Sequence, residues 1–161
     1  MSLRAELQVF LGEATRRRVV VVGVGSPIRG DDIVGFKVLQ LLEGKLSDNV
    51  LLLQTETVPE SYTGAIRDFQ PTHVIIVDAA NFHGAPGEAR IIPPKAIANT
   101  SDSTHSLPLH LFIGYVKESI CPNVVLIGVQ GVNIDLGAEL NPSVEKGATE
   151  VTDILVKLLN K

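Results

Sequence analysis

The chain has 161 residues and a formal net charge of −4, and its mean hydropathy is +0.25. A chain of this length buries roughly 70% of its unfolded surface, so one domain over 1–161 needs no disulfide or structural metal. The mild acidity, with no basic run beyond residues 16–18, argues against a nucleic-acid partner held by charge. No apolar run reaches the ~20 residues of a membrane span, and the single Cys121 predicts a cytoplasmic location.

Hydrophobic periodicity then predicts helices alternating with strands along the chain. The predicted elements are a helix in 1–15, a strand at 18–24, a helix from 31 to about 44, a strand at 49–54, a helix between 59 and 71, strands at 73–78 and 88–92, a helix at 109–120, a strand at 124–129 and a helix from 141. Residues 93–106 are predicted to form an irregular polar loop.

This order of elements predicts an α/β protein of three layers, an α/β/α sandwich. Its centre is a mostly parallel, twisted, five-stranded sheet, and the short link before 88–92 makes that strand the antiparallel member. Residues 1–17 are expected to form an N-terminal helical extension on a core of residues 18–161.

The loop between the first strand and the next helix, residues 23–32, is rich in glycine but does not match a nucleotide-binding motif. Ile28 stands where a dinucleotide fingerprint has its third glycine, and two aspartates follow Gly30 where a P-loop has Lys and Ser or Thr. Carboxylates would repel a phosphate. The loop is therefore predicted to present them to a cation or a peptide.

Two tandem aspartates in this loop, Asp31 and Asp32, are expected to divide their roles. One carboxylate accepting backbone N–H bonds as a helix cap contributes ~1 kcal/mol, which leaves the other to face the crevice above the sheet. Asp78 ends the third strand, at the edge where open α/β sheets bind their ligands. Because strands 1 and 3 can be neighbours across a switch point, Asp32 and Asp78 are expected to lie close together.

His105 is the histidine that the pattern favours as a ligand. It ends the polar loop just before a helix and should reach the same edge as Asp32 and Asp78. His73 begins a strand at the opposite edge and His83 lies in a turn, so both are predicted to be surface groups. Two carboxylates and one imidazole form a set that suits a divalent transition ion such as nickel or zinc.

Three motifs of this chain, and the order in which they occur, resemble those of the hydrogenase maturation endopeptidases, which process the large subunit of nickel-iron hydrogenases. They are a glycine and aspartate motif at 23–35, Ile-Val-Asp-Ala at 76–79 and Thr-His-x-x-Pro-Leu at 104–109. Residues 128–130, Gly-Val-Gln, resemble a further segment of that family. The resemblance runs from about Val19 into the C-terminal helix.

The resemblance implies an endopeptidase that removes the C-terminal tail of a nickel-loaded large-subunit precursor. Asp32, Asp78 and His105 match the nickel-contacting residues, and Asp32 and Asp78 are the expected catalytic pair. The nickel then belongs to the substrate and the enzyme has no tightly bound cofactor, although zinc or cadmium would fit the same ligands. Two accounts of water activation remain open: the carboxylates act as acid and base with separated pKa values, or the metal polarises the scissile region.

Two other function classes share part of this pattern. A receiver-like, metal-dependent switch also carries acidic residues after strand 1 and an aspartate after strand 3, but it needs a lysine after the last strand, and residues 128–131 contain none. A nickel-carrying chaperone would use the same three ligands without cleaving its partner.

Overall fold

The structure is a computed structural model that describes residues 1–13, 16–56, 62–97 and 106–160. Its strands are β1 (Val19–Val24), β2 (Val50–Thr55), β3 (His73–Ala80), β4 (Ala89–Ile91) and β5 (Val124–Gln130). Its α-helices are α1 (Leu3–Leu11), α2 (Val34–Leu42), α3 (Thr63–Phe69), α4 (Pro94–Ile97), α5 (Ser106–Ser119) and α6 (Pro142–Leu159). A 3-10 helix, Gly30–Ile33, leads directly into α2.

The five strands form one sheet in the order β2-β1-β3-β5-β4. β1 runs parallel to both β2 and β3, β3 runs parallel to β5, and β4 pairs antiparallel with β5. This confirms the predicted mostly parallel sheet with one antiparallel strand. The chain leaves β1 for β2 on one side and returns to β3 on the other, so the carboxyl ends of β1 and β3 form a topological switch point.

Alternation along β1 divides the core between the two faces of the sheet. Val19 and Val21 belong to a cluster that α1, α2 and α6 cover, whereas Val20 and Val22 belong to one that α3 and α5 cover. Burial on both faces explains the unbroken β-branched run of β1. The predicted three-layer α/β/α sandwich is thereby confirmed. Within the described residues, no helix has the length and apolar character of a membrane span.

Two local features differ from the sequence-based expectation. The segment 93–106, predicted to be irregular, contains the one-turn helix α4, whose Pro94 occupies the first helical position, where a proline is tolerated. The predicted helix from Asp31 begins as a 3-10 turn and becomes α-helical only at Val34. Both differences concern single turns and leave the order of elements unchanged.

His73 lies at the amino edge of the sheet, as expected, but its prediction as a surface group is wrong. The side chain is only 5% exposed, and its ring packs edge-on against Phe10 of α1 at a centroid distance of 5.2 Å. The Thr72 hydroxyl lies 2.8 Å from Nδ1 of His73. The N-terminal helix therefore covers a position that an isolated sheet would leave open. His83, in contrast, is exposed as predicted.

Burial of His73 predicts a pH dependence of stability. Burial and, to a lesser extent, the charge of Arg17 lower the pKa of His73 below its ordinary value of 6.5. The unfolded chain therefore binds more protons between the two pKa values, and this contribution to stability is complete above about pH 6.5 and is lost as the pH falls below it. Melting temperatures measured from pH 5 to 8 should decline toward acid more steeply for wild type than for His73→Gln. Equal slopes would contradict the prediction.

Candidate active site

Two glycines let the loop that carries Asp32 lie directly on the strand ends. A Cβ atom on Gly25 would lie 2.0 Å from the backbone oxygen of Asp32, and one on Gly35 would lie 2.6 Å from the backbone oxygens of both Val24 and Val77. These neighbours are backbone atoms that cannot move aside. The glycine and aspartate motif therefore places the 3-10 helix and α2 against the carboxyl ends of β1 and β3.

Of the two tandem aspartates, Asp31 has the structural role. Its carboxylate is fully buried and accepts hydrogen bonds from the backbone N–H groups of Val132 (2.6 Å), Asn133 (3.0 Å) and Asn141 (2.7 Å). The backbone N–H of Asp31 also donates to the carbonyl of Asn133 at 2.9 Å. One aspartate of the pair thus accepts backbone N–H bonds, but not as the predicted helix cap, because the donors lie about a hundred residues away and not in the helix that follows.

Asp32 and Asp78 lie at the same edge of the sheet. The backbone oxygen of Asp32 accepts a hydrogen bond from Ser26, which follows β1, and Asp78 comes directly after Val77, the partner of Gly23 in β1. Their exposed fractions are 4% and 2%. Together with Asp31 they bring three buried aspartates to this edge, while the described part of the chain buries no lysine or arginine. The edge is therefore acidic and largely shielded from water.

The helix that follows the polar loop begins at this edge too. Cys121, just after α5, lies with its Sγ 3.1 Å from the carbonyl of Thr72, which marks the amino edge of the sheet. The 14 residues of α5 span about 21 Å, close to the length of β5, so its first residue reaches the carboxyl edge. His105 itself lies outside the described residues. Among those that are described, no three His, Cys, Asp or Glu side chains form a metal-binding group.

Gln130 is a residue whose role sequence reasoning missed. Its buried side-chain oxygen accepts hydrogen bonds from the backbone N–H groups of Phe82 (2.9 Å) and Gly84 (3.1 Å). Its side-chain nitrogen donates to the carbonyl of Gly131 at 2.9 Å and to Oδ1 of Asn81 at 3.3 Å. Gln130 thus fixes the loop that follows Asp78. The Gly-Val-Gln segment pointed to this position but carried no indication of its partners.

A groove of about 720 Å³ opens beside the 3-10 helix. It is bounded by the loop before the 3-10 helix, by α2 and by the loop after β5, with Pro27, Phe36 and Ala138 among its apolar residues and Lys37 and Glu139 among its charged ones. The groove lies on the α2 side of the sheet, and neither Asp32 nor Asp78 is among its lining residues.

Comparisons with known proteins identify the family that this chain resembles. A family model described as hydrogenase maturation protease matches residues 36–158. The hydrogenase 3 maturation protease of Escherichia coli is 35% identical over 112 residues, 69% of this chain and 71% of its own length. A putative hydrogenase maturation protease of Methanocaldococcus jannaschii is 29% identical over 153 residues, 90% of each chain.

A solved structure gives the same result. The crystal structure of the NiFe hydrogenase maturation protease HycI from Thermococcus kodakarensis superposes with a TM-score of 0.83 at 32% identity, over 95% of this chain and 99% of that one. The fold is thus that of a hydrogenase maturation protease. The chain belongs to the hydrogenase maturation protease family, and it is an endopeptidase and not a receiver-like switch.

Proposed function

We propose that the protein removes the C-terminal tail of the nickel-loaded large-subunit precursor of a nickel-iron hydrogenase. Asp32, Asp78 and His105 contact the substrate's nickel, and Asp32 and Asp78 form the catalytic pair. The observation that carries the proposal is the burial of both aspartates at the carboxyl ends of adjacent strands, where α/β sheets bind ligands. A divalent cation that arrives with the substrate would offset the negative charge of this edge.

The third ligand in the proposal is His105. Support comes from α5, which begins at Ser106 and whose first turn reaches the same edge. His105 directly precedes that helix in the sequence, and in the proposal its imidazole joins the two carboxylates as a ligand. Oxygen and nitrogen ligands with positions left open suit nickel that also remains bound to its precursor.

A site of two carboxylates and one imidazole, open on the substrate side, should not hold a metal of its own tightly. In the proposal the reaction takes place in the cytoplasm, where a chain with the single Cys121 needs no disulfide.

The proposed absence of a tightly bound metal from the resting enzyme leads to a prediction about folding. Because no metal is required to complete the core, adding EDTA to the purified protein should leave its melting temperature within about 1 °C. A large decrease would make the metal part of the fold. Nickel or zinc added in excess should raise the melting temperature slightly, by mass action.

A nickel carrier without peptidase activity would use the same ligands, and a cleavage assay separates the two. The purified protein is incubated with the nickel-loaded large-subunit precursor from the same genome, and the intact mass of the precursor is measured over time. We expect a single decrease equal to the mass of the tail. Nickel transfer with an unchanged precursor mass would favour the carrier and contradict the proposal.

A further inference from the structure

The side chain of Gln130 lies on the same face of the sheet as Asp78. In the register of β3 and β5, Asp78 pairs with Gly128 and Ala80 pairs with Gln130. Because side chains alternate along a strand, these four positions share one face. A Cβ on Gly128 would lie 2.8 Å from the Cβ of Ala80, as this alternation requires. Gln130 is therefore the next side chain of β5 beyond Asp78 on that face, and it is only 6% exposed.

Two side-chain amides bind three consecutive N–H groups of the loop after β3. Oε1 of Gln130 accepts from Phe82 and Gly84. The N–H of His83, between them, donates to Oδ1 of Asn81 at 3.1 Å, and Nε2 of Gln130 donates to that same oxygen. His83 has a φ of 59°, a conformation that a residue other than glycine keeps only where its surroundings hold it. The conformation of this loop thus depends on Gln130.

The remaining hydrogen bond of the Gln130 side chain connects this loop to Asp31. Nε2 of Gln130 donates to the carbonyl of Gly131. The N–H of Val132 belongs to the same planar peptide unit as that carbonyl and donates to Oδ2 of Asp31 at 2.6 Å. Because Asp32 directly follows Asp31 in the 3-10 helix, one chain of hydrogen bonds joins the loop after β3 to the segment that carries Asp32.

The backbone of Gln130 has a separate role. Its N–H donates to the carbonyl of Glu88 at 2.8 Å, and its carbonyl accepts from the N–H of Gly87 at 2.9 Å. These bonds join β5 to the segment before β4 and do not require a glutamine side chain. A substitution of Gln130 therefore leaves the sheet paired and removes the connection between the two loops.

We propose that Gln130 is a positioning residue for the catalytic pair. This inference rests on the proposed function. By joining the two loops, Gln130 fixes how far the carboxylate of Asp78 lies from that of Asp32, and it contacts neither the substrate nor its metal. That separation decides whether both carboxylates meet the same ion, and a displacement of about 1 Å can lower a rate about 100-fold.

The test replaces Gln130 by Met, which keeps the length of the side chain and removes its hydrogen bonds. Processing of the nickel-loaded precursor should show kcat lowered about 10- to 100-fold, with KM changed less than about threefold. The matched control is Thr72→Val at the opposite edge of the sheet, because Oγ1 of Thr72 accepts from the N–H of Arg18 and donates to its carbonyl, at 3.0 and 3.1 Å. Both variants should melt below wild type, but Thr72→Val should keep kcat within about twofold.

A double-variant cycle separates positioning from a general loss of stability. In the Asp78→Asn protein, adding Gln130→Met should lower the remaining rate by less than about threefold, because the carboxylate that Gln130 positions is already absent. A loss of stability alone would lower the rate by the same factor in both backgrounds. Asn81→Ala removes one acceptor of the network and should lower kcat in the same direction. It takes the place of Gln130→Met if that variant does not fold.

The outcomes distinguish the positioning role from the function on which it rests. Failure of the wild-type protein to shorten the precursor would overturn the proposed function, and the positioning role with it. With an active wild type, an unchanged kcat in Gln130→Met, or an equal fall in kcat in Thr72→Val, would overturn the positioning role alone. A raised KM at unchanged kcat would assign Gln130 to substrate binding and overturn it too. The same fall in rate in the wild-type and Asp78→Asn backgrounds would also contradict it.

Discussion

Replacing Asp78 by Asn or His105 by Ala should reduce the rate of tail removal by about 10³-fold or more while the protein stays folded. Loss of a group that meets the metal or transfers a proton typically costs 10²- to 10⁴-fold in rate. Asn retains the shape of the buried Asp78 side chain, which is 2% exposed, and removes its charge. Initial rates of precursor shortening, measured by mass, together with thermal melting of each variant, check this result.

The matched control for these variants is His83. It is exposed in the turn after β3, and its backbone φ of 59° lies in the left-handed region that Asn tolerates well. His83→Asn should therefore process the precursor at nearly the wild-type rate. His73 is unsuitable as a control because its burial against Phe10 makes any substitution a test of stability. Full activity in the His105 variant would show that the proposed metal-contacting set is wrong.

Replacing Asp31 by Asn should destabilise the protein by about 3 kcal/mol. Both carboxylate oxygens of Asp31 accept backbone N–H bonds, and an amide would turn its own N–H₂ group toward one of those donors. For a domain of 161 residues, such a loss lowers the melting temperature by about 6–12 °C. Thermal and denaturant unfolding of the variant measure both quantities.

Asp135→Asn provides the comparison, because Asp135 is exposed in the loop that Asp31 holds. A surface substitution of this kind should change the free energy of unfolding by no more than about 0.5 kcal/mol. Similar melting temperatures for the Asp31 and Asp135 variants would mean that the three backbone hydrogen bonds do not stabilise the loop.

The order of elements in this fold can be predicted from its sequence because the apolar residues of each strand and helix recur at a regular spacing. The run at Val19–Val22 marks a strand buried on both faces, and the change to helical spacing at Val34 marks α2. The burial of His73 could not be predicted from the local sequence. It depends on Phe10, a residue more than sixty positions away that α1 brings over the sheet edge.

For the candidate site, sequence reasoning predicted the convergence of the β1 and β3 ends, since an aliphatic run delivers Asp78 to an edge that a glycine-rich loop also reaches. It assigned Asp32 to the crevice but could not name the partners of Asp31, because the N–H donors lie in a loop more than a hundred residues further along the chain. The role of Gln130 could not be predicted for the same reason. A glutamine at a strand end belongs to no local sequence pattern that indicates which backbone groups it will bind.

The central claim is that the enzyme recognises its precursor through the nickel that the precursor carries. The most direct measurement compares nickel-loaded and metal-free preparations of the same precursor, each incubated with wild-type enzyme and followed by intact mass. Only the nickel-loaded precursor should lose its tail, and adding nickel to the metal-free preparation should restore cleavage once the precursor has taken up the ion. Efficient shortening of the metal-free precursor would contradict the claim, even though it would leave the protein an endopeptidase.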